Sequence, residues 1–371
     1  MRILFDHQIY HYQNYGGISR YFYELTKGLI QLDNECQNSI FLSENEFTTE
    51  KSLYNSRKFV PFDFKGKGSL KKYLNQKVSE NIIKKGKYDI FHPTYYDTYF
   101  LNGILGKRPY VVTFYDLIHE KFAHKYPDVL TNFEQVLTNR RALLKEASGI
   151  IAISNSTKRD IIEYYGIDEN RIDVTYLANS IHVGDLEDIS AINNESGDYI
   201  LFVGNRGAYK NFNTFIEAIK PLLIREKNIR VICAGGGVFQ QDEINLLSSL
   251  NIRNQVSQVP INDKSLAVLY KNAILFVFPS LYEGFGIPVL EAFSNRCPTI
   301  LSNVSSLPEI GGDAALYFDP QDRESILHQV EKFVYSTELR DEYRIRGLEQ
   351  AKKFSWSHMT NQTLEIYKSI L

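Results

Sequence analysis

Residues 273–291 read AILFVFPSLYEGFGIPVLE, and this stretch decides the fold. The apolar run that ends at Phe278 is typical of a fully buried strand, and Pro288 suits the first position of a following helix. The sequence therefore predicts a strand, a glycine-containing loop and a helix, which is the unit of a parallel sheet. Two carboxylates, Glu283 and Glu291, flank the loop. They are either ordinary capping residues or one side of a ligand site.

The same unit opens each half of the chain. RILFD (2–6) leads through the loop YQNYGG (12–17) into the helical pattern ISRYFYELTKGLIQL (18–32), and YILFVG (199–204) leads through NRGAYKN (205–211) into another. Further strands are predicted at YDIFHP (88–93), PYVVTF (109–114), GIIAIS (149–154), IDVTY (172–176) and IRVICA (229–234). We expect an α/β protein of two Rossmann-like domains, 1–180 and 181–354, with a terminal helix over 355–371 and a polar linker within 178–199.

Composition excludes several classes of protein. A formal net charge of −2 over 371 residues argues against a nucleic-acid binder that works by bulk positive charge. Three scattered cysteines are too few for a disulfide framework or a zinc site, which favours a reducing, cytoplasmic compartment. Asp6 interrupts any signal-peptide core, and no run approaches the roughly 20 apolar residues that span a bilayer. We expect a cytoplasmic protein, soluble or resting on the inner face of the cell membrane.

One stretch is strongly basic. From Arg57 to Lys87 there are ten Lys and Arg residues and two acids, Asp63 and Glu80. Such a run is either a solvated lysine-rich face or a patch that meets anionic lipid or an anionic acceptor, where each basic residue contributes up to ~1 kcal/mol.

Three loops fall where an open α/β sheet binds its ligands, beyond the carboxyl ends of the strands. Gly16 and Gly17 allow close backbone approach to a ligand, or make only a tight turn. Arg206 and Lys210 suit a diphosphate, or form a solvated basic loop. GGGVFQ (235–240) does not complete a dinucleotide-binding GxGxxG pattern.

The third loop is the opening stretch itself. With Pro288 at the first helical position, the amides of residues 285–287 would point outward at the positive end of the helix dipole, ready for a phosphate. Glu291, in the first turn, could then reach a ribose, and Glu283 could accept hydrogen bonds from a sugar.

The pattern resembles a known family. PSLYEGFGIPVLEA (279–292) is similar to the E-x7-E motif of retaining glycosyltransferases of family 4, which have the GT-B fold. The resemblance extends to bacterial mannosyl- and rhamnosyl-type polysaccharide glycosyltransferases. Other stretches resemble the family in the expected order: YGGISRYFYEL (15–25), VTFYDLIHEKF (112–122), AISNSTKRDI (152–161), ILFVGNRGAYKNF (200–212) and SNVSSLPEIGGDAALYFDP (302–320).

The resemblance implies two domains facing a cleft, with the donor on the C-terminal domain, the acceptor on the N-terminal one, and the last helix crossing back. Glu291 would bind the ribose and Glu283 the hydroxyls of the donor sugar. The diphosphate would meet Arg206, Lys210, the amides of Phe285, Gly286 and Ile287, and, from the other domain, Gly16 and Gly17. These groups would stabilise the leaving charge, so neither a metal nor another cofactor is expected. Retention would proceed by front-face attack without a protein nucleophile.

One position departs from the family. Where family members commonly carry His-Asp after this strand, the chain has Tyr115 before Asp116. Tyrosine is a poor base near neutral pH, and His119 is a candidate to substitute in part, although a lone histidine is more often structural. Asp116 keeps its match.

Tyrosines suggest the acceptor side. Tyr12, Tyr95 and Tyr96 each combine an apolar face with a hydroxyl, as sugar binding requires, although core tyrosines would explain them as well. The expected function is transfer of a hexose from a GDP-, UDP- or dTDP-linked donor to a glycan or lipid-linked oligosaccharide, in O-antigen or capsule biosynthesis. The alternatives are a nucleotide-sugar epimerase or sugar-phosphate synthase on the same fold, and an inactive sugar-binding protein.

Overall fold

The computed structural model describes residues 1–60, 62–104, 107–127, 132–181 and 197–371. They form two compact units. The N-terminal unit consists of Met1–Leu177 with Trp356–Leu371, and the C-terminal unit is Ala178–Ser355. Most of the linker predicted within 178–199 lies outside the described residues. Both units are α/β, as the sequence predicts.

The N-terminal unit is built on parallel strands in the order β2-β1-β3 and β4-β5-β6. A single parallel bridge between Phe91 and Tyr110 links β3 to the residue before β4. The strands are β1 (Arg2–Phe5), β2 (Glu35–Asn38), β3 (Ile90–His92), β4 (Val111–Phe114), β5 (Gly149–Ala152) and β6 (Ile172–Val174). The helices are α1 (Gln8–Tyr12), α2 (Gly17–Gln31), α3 (Lys67–Lys85), α4 (Leu101–Ile104), α5 (Ile118–Phe122), α6 (Phe133–Glu146) and α7 (Asn155–Tyr165).

The predicted strands of this unit all form, and β2 is an addition. Its sequence, ECQN, carries no apolar run, so no periodicity marks it as a strand. It pairs with β1 in parallel register, Arg2 opposite Glu35, at the edge of the sheet where polar residues are tolerated.

The C-terminal unit contains one six-stranded parallel sheet in the order β12-β11-β10-β7-β8-β9. This order, with the first strand of the unit at the centre, is that of the Rossmann fold. The strands are β7 (Tyr199–Val203), β8 (Arg230–Ala234), β9 (Val256–Val259), β10 (Leu275–Phe278), β11 (Thr299–Ser302) and β12 (Leu316–Phe318). The helices are α8 (Phe212–Arg225), α9 (Gln241–Ser249), α10 (Asp263–Asn272), α11 (Ile287–Ser294), α12 (Leu307–Gly311), α13 (Arg323–Tyr335) and α14 (Thr337–Ala351).

The core of the C-terminal unit explains why these segments fold as they do. All five residues of β7 are buried, as expected for a central parallel strand covered on both faces. On α8 the apolar residues Phe212, Phe215, Ile216 and Ile219 recur at helical spacing, are fully buried and pack in the same apolar cluster. The strand and its helix therefore fix the loop between them, which carries Arg206 and Lys210.

The last helix, α15 (Trp356–Ile370), packs on the N-terminal unit against α2 and β5. Tyr367 is fully buried, and its hydroxyl lies 2.5 Å from Nδ1 of His92. The other ring nitrogen of His92 lies 2.9 Å from Thr113 Oγ1. The terminal helix is thus tied to the ends of two strands, β3 and β4, by a buried polar chain.

The helix α3, 19 residues long, contains much of the basic stretch. Its exposed side chains include Leu70, Tyr73, Lys77 and Lys84. Within the described ranges, no helix combines the length and the apolar character needed to cross a membrane.

The packing of α15 on α2 generates a stability prediction. A Cβ at Gly28, in the last turn of α2, would lie 2.5 Å from Thr360 Oγ1 and 2.9 Å from its Cγ2. We expect Gly28→Ala to destabilise the protein by about 1–3 kcal/mol, because the tight contact outweighs the better helix propensity of alanine. Urea unfolding measures the change in free energy.

The control is Gly68→Ala in α3, where no atom lies within 4 Å of the added Cβ. That variant should be neutral or slightly more stable. A Thr360→Ala change should relieve much of the Gly28→Ala defect, and equal stability of the two single alanine variants would contradict the packing described here.

Candidate functional site

The helix α11 begins directly after the loop that carries Glu283. Its N-cap is Gly286, whose φ of 100° lies in the left-handed region that favours glycine. Pro288 is the second helical residue and Glu291 the fifth, one position later than predicted, because Ile287 already has helical geometry. Proline is still tolerated there, since its missing N–H would have no partner within the helix.

Two serines from the loop after β11 hold this segment in place. The Glu283 N–H donates to Ser305 Oγ at 2.9 Å. The buried Ser306 hydroxyl lies 2.9 Å from the carbonyl oxygens of both Glu283 and Phe285. The approach of the chain to α11 is therefore fixed by hydrogen bonds, with Phe285 buried beneath it.

Glu283 and Lys210 form an ion pair across two loops. Lys210 Nζ lies 2.6 Å from Glu283 Oε1, and the side chains are 18% and 11% exposed. The Leu281 N–H donates to the Tyr209 carbonyl at 2.7 Å and joins the same two loops through the backbone. Lys210 Nζ also lies 5.2 Å from the ring centre of Phe278. The structure thus brings together two residues that the sequence placed 73 positions apart.

Glu291 has a buried partner that the sequence analysis missed. Tyr270, on α10, donates its hydroxyl to Glu291 Oε2 at 3.0 Å. Burial first, and the neighbouring carboxylate second, raise the pKa of Tyr270 well above its ordinary value, so its hydroxyl stays a donor at any physiological pH. The carboxylate is thereby held in one orientation near the start of α11.

Arg206 has different surroundings from those predicted. Its side chain is 2% exposed, and Nε lies 2.7 Å from Glu243 Oε1. It also donates to the carbonyl oxygens of Gly237 and Val238, at 3.0 and 3.2 Å. The structure therefore surrounds the guanidinium with protein acceptors rather than presenting it beside Lys210 as one half of an open cation pair.

In the N-terminal unit, Asp116 belongs to a buried network centred on Arg140. Arg140 Nη1 lies 2.7 Å from Glu120 Oε2 and 3.0 Å from the Asp116 carbonyl, and Nη2 lies 3.7 Å from Asp116 Oδ1. Tyr165 donates its hydroxyl to Glu120. The Asp116 carboxylate also accepts a hydrogen bond from the Ile118 N–H at 3.1 Å, which fixes the turn into α5.

His119 and Tyr115 flank this network and differ in burial. His119 is partly exposed, and burial and the charge of Arg140 lower its pKa, so the ring is largely neutral at pH 7. Tyr115 is 5% exposed, and burial raises its pKa well above the ordinary value. Tyr115 therefore cannot act as a base near neutral pH, in keeping with the interpretation of the sequence.

The glycine pair lies where the sequence predicts, at the start of α2. Gly16 is the N-cap and Gly17 the first helical residue. A Cβ on Gly16 would come within 2.6 Å of Gln13 Oε1, and that oxygen accepts the N–H of Ser19 at 3.2 Å. Gln13 already caps part of the helix N-terminus that we assigned to a ligand.

The three tyrosines predicted to contact the acceptor differ in how exposed they are. Tyr12 is 49% exposed, and its ring centre lies 5.5 Å from that of the partly exposed Tyr95. Tyr96 is buried, its hydroxyl accepts the Tyr115 N–H at 3.0 Å, and its ring lies 4.3 Å from the guanidinium carbon of Arg140. Both the ring face and the hydroxyl of Tyr96 are used inside the fold, so Tyr12 and Tyr95 are the two of the three tyrosines that have exposed surface to offer an acceptor.

Comparisons with known proteins agree with the fold and the motif. The family model described as "Glycosyltransferase Family 4" matches residues 15–178, and that described as "Glycosyl transferases group 1" matches residues 186–350. The chain belongs to glycosyltransferase family 4. Its two Rossmann-like domains are those of the GT-B fold.

Two relatives of this family 4 member come from Escherichia coli. O-antigen chain mannosyltransferase B is 34% identical over 61% of this chain and 61% of the relative. The serotype-specific mannosyltransferase WbdA is 30% identical over 65% of this chain, and the match spans 31% of WbdA. The crystal structure of Anabaena HepE in complex with UDP and glucose superposes with a TM-score of 0.71 at 15% identity, covering 99% of both chains.

Several residues that shape the candidate sites of the two units escaped prediction. Ser305 and Ser306 stood within a stretch that resembles the family, but nothing in the sequence said that they hold the Glu283 loop. Glu243, three residues after Gln240, has the spacing of a capping box, which was a usable signal for the start of α9. Arg140 and Tyr270 lie within helical patterns, and their contacts depend on tertiary packing.

The buried network of the N-terminal unit predicts a large stability effect. Arg140→Ala would leave Glu120, whose side chain is fully buried, without its cation. We expect a loss of about 3–5 kcal/mol in the free energy of unfolding, measured by urea denaturation.

Arg141→Ala provides the matched control, since Arg141 is the next residue of α6 and is exposed. It should change stability by no more than about 0.5 kcal/mol. Similar losses for both variants would show that the ion pair does not anchor this unit.

Proposed function

We propose that the protein is a retaining, metal-independent hexosyltransferase that moves mannose from a nucleotide-sugar donor to a growing surface polysaccharide. The observation that carries the proposal is the pairing of Lys210 with Glu283 immediately before the N-terminus of α11. It sets a cation for phosphate and a carboxylate for sugar hydroxyls at one place, beyond the carboxyl ends of β7 and β10. The mannosyltransferase names of the E. coli relatives support mannose and an O-antigen-type acceptor.

Each group of the C-terminal unit has a role in this proposal. Lys210 and the backbone amides of Phe285, Gly286 and Ile287 receive the diphosphate. Glu291, oriented by Tyr270, binds the ribose, and Glu283 binds hydroxyls of the donor sugar. The HepE complex with UDP and glucose supports a nucleotide and a sugar as ligands of this fold.

The reaction breaks the bond between the anomeric carbon and the diphosphate oxygen, and the electron pair leaves with the diphosphate. The acceptor hydroxyl attacks the same face, and its proton passes to a leaving phosphate oxygen. Lys210 and the positive end of the α11 dipole stabilise the charge that develops on the leaving group, which is the role a metal ion plays elsewhere. Configuration is retained, and no protein side chain forms a covalent intermediate.

On the acceptor side the proposal uses the exposed part of the N-terminal unit. Tyr12 and Tyr95 offer adjacent ring faces to a glycan, and Gly16 and Gly17 allow close backbone approach. Asp116 and the largely neutral His119 are the candidates for contacts with reacting hydroxyls. Their assignment is tested by the same transfer assay as Glu283.

The ion pair gives the first functional prediction. Glu283→Gln keeps the shape but removes the charge, and Lys210→Ala removes the cation that faces the leaving group. We expect kcat/KM for transfer to fall about 100-fold in each, equivalent to roughly 2.7 kcal/mol. Activity of the unaltered protein should be the same with and without a chelator.

The assay follows sugar transfer to an added glycan by mass spectrometry, with GDP-, UDP- and dTDP-linked hexoses offered in turn. Lys264→Ala, an exposed lysine of α10, is the matched control and should retain full activity. Donor turnover without an added glycan favours the epimerase alternative. Transfer at the original rate by Glu283→Gln would contradict the site assignment.

The proposal also places the protein at an anionic membrane surface, where a lipid-linked acceptor is carried. Four of the ten basic residues between Arg57 and Lys87 are engaged in ion pairs, which weakens the argument from charge alone: Lys67 with Asp63, Lys71 with Glu44, Lys72 with Asp97, and Lys77 with Glu80. The other six are exposed: Arg57, Lys58, Lys65, Lys84, Lys85 and Lys87.

Exposed apolar side chains strengthen the argument. Phe62 and Tyr73 are 64% and 57% exposed, and Phe64 and Leu70 lie between them at 39% and 42%. Aromatic rings beside lysines are the composition of surfaces that rest in the headgroup region of a bilayer. Charge complementarity selects anionic lipid as the partner.

Vesicle binding tests this contact. The protein should sediment with phosphatidylglycerol vesicles at low salt, dissociate at high salt, and ignore phosphatidylcholine vesicles. A Phe62→Ser/Phe64→Ser/Tyr73→Ser variant should lose most of the binding, while Ile345→Ser, at a 66% exposed position of the C-terminal unit, should not. Failure of the unaltered protein to bind anionic vesicles at low salt would overturn the membrane contact and leave the transferase proposal untouched.

A further inference from the structure

Arg206 forms a bidentate ion pair with both carboxylate oxygens of Glu243. Its Nε lies 2.7 Å from Glu243 Oε1, and its Nη2 lies 3.2 Å from Glu243 Oε2. The two side chains are 2% and 12% exposed. This bidentate geometry is the strongest pairing available to arginine, and it occupies one of the two edges through which a guanidinium can bind a phosphate.

The remaining edge of Arg206 faces a run of glycines. Gly235, Gly236 and Gly237 all have left-handed backbones, with φ of 78°, 70° and 73°. Arg206 donates to the carbonyl oxygens of Gly235 and Gly237, at 3.3 and 3.0 Å, and to that of Val238. Its guanidinium carbon lies 4.7 Å from the ring centre of Phe239. The Arg206 side chain therefore contacts the loop 235–239 along its length and stabilises its conformation.

Glu243 ties the same loop to the helix that follows. It is the third residue of α9, and its Oε2 accepts the Gln240 N–H at 2.7 Å. The carboxylate thus caps α9 and pairs with Arg206 at once. Neither residue can move without releasing the other.

The loop lies at the edge of the sheet where a nucleotide is expected. The Gly235 N–H donates to the Val259 carbonyl at 2.9 Å, and the Gly204 N–H donates to the Ala234 carbonyl at 2.9 Å. A Cβ on Gly236 would come within 2.5 Å of the Gly204 carbonyl oxygen. The segments after β7, β8 and β9 are therefore packed side by side, with no room for a side chain at Gly236.

We propose that Arg206 is a positioning residue that sets the shape of the loop 235–239 for the nucleoside part of the donor, and that it does not bind the diphosphate. This inference rests on the proposed function. It replaces the sequence-based role of Arg206, which would require the guanidinium to give up its contacts with the Glu243 carboxylate and with the carbonyl oxygens of Gly235, Gly237 and Val238. Of the two basic residues in the loop 205–211, Lys210 is then the one that binds the diphosphate.

The test compares a nucleoside with its diphosphate. Affinities of guanosine and GDP, and of uridine and UDP, are measured by calorimetry for the unaltered protein and for Arg206→Gln, Glu243→Gln and Lys210→Ala. A positioning role predicts that Arg206→Gln weakens nucleoside and diphosphate about equally, on the order of tenfold, so that their affinity ratio is unchanged. Lys210→Ala should weaken the diphosphate alone.

Glu243→Gln should reproduce the Arg206→Gln effect, and the double variant should be no worse than either single one. A collapse of the diphosphate-to-nucleoside ratio in Arg206→Gln, with normal binding by Glu243→Gln, would overturn the proposal. Arg206→Lys replaces Arg206→Gln if the latter does not fold.

Hydrogen exchange separates this inference from the proposed function. Amides of residues 235–240 should lose protection in both Arg206→Gln and Glu243→Gln without any nucleotide present. Unchanged hydrogen-exchange protection in both variants would contradict the positioning role of Arg206, even if the protein is a transferase. Lost protection in a protein that binds none of the nucleotides would keep the structural role and refute the transferase.

Discussion

The ion pair between Lys210 and Glu283 depends on one constraint of the parallel sheet, that neighbouring strands end at the same edge. β7 and β10 are paired neighbours, so the loop after each must meet the other. The backbone bond from Leu281 to Tyr209 fixes that meeting, and the salt bridge places a cation and a carboxylate at the start of α11. Glu291, Ser305 and Ser306 are arranged around this junction.

The charged groups of the chain divide into closed and accessible sets, and exposure decides between them. Arg140 and Arg206 are each 2% exposed and surrounded by carboxylates and carbonyl oxygens. Lys210 and Glu283 are 18% and 11% exposed and hold each other with a single contact of 2.6 Å. Breaking the buried ion pairs of Arg140 or Arg206 would cost much free energy, so these pairs are structural. The Lys210–Glu283 pair is more exposed, so both of its side chains can also contact an incoming ligand. The family motif alone does not make this distinction.

Sequence periodicity predicted β1, β3 to β8 and β10, which include the central strands with long apolar runs, because a central parallel strand must be apolar on both faces. It missed β2, β9, β11 and β12, which are only three or four residues long. Of these, β2, β9 and β12 lie at sheet edges, and the residues of β2, Glu35–Asn38, are polar. The strand–loop–helix spacing placed Lys210, Glu283 and Glu291 beyond the strands correctly. The start of α11 was one residue off, since Gly286 rather than Ile287 is the cap.

Partners from distant parts of the chain could not be predicted. Nothing in the sequence indicates that Arg206 forms an ion pair with Glu243, 37 positions away. Nor does it indicate that the Arg140 guanidinium lies over the ring of Tyr96. Both outcomes come from helices packing on the sheet, and each removes a residue from the expected ligand surface. Tyrosine identity likewise could not separate the exposed Tyr12 from the buried Tyr96.

The central claim is that the C-terminal unit binds a nucleoside diphosphate without a metal ion. Thermal unfolding with UDP, GDP, ADP and dTDP, each with and without magnesium, tests it most directly. One nucleotide at 100 times its Kd should add about 2.7 kcal/mol of stability, a shift of roughly a few degrees, and magnesium should not alter it. No shift with any of the four nucleotides would contradict the account and favour an inactive sugar-binding protein.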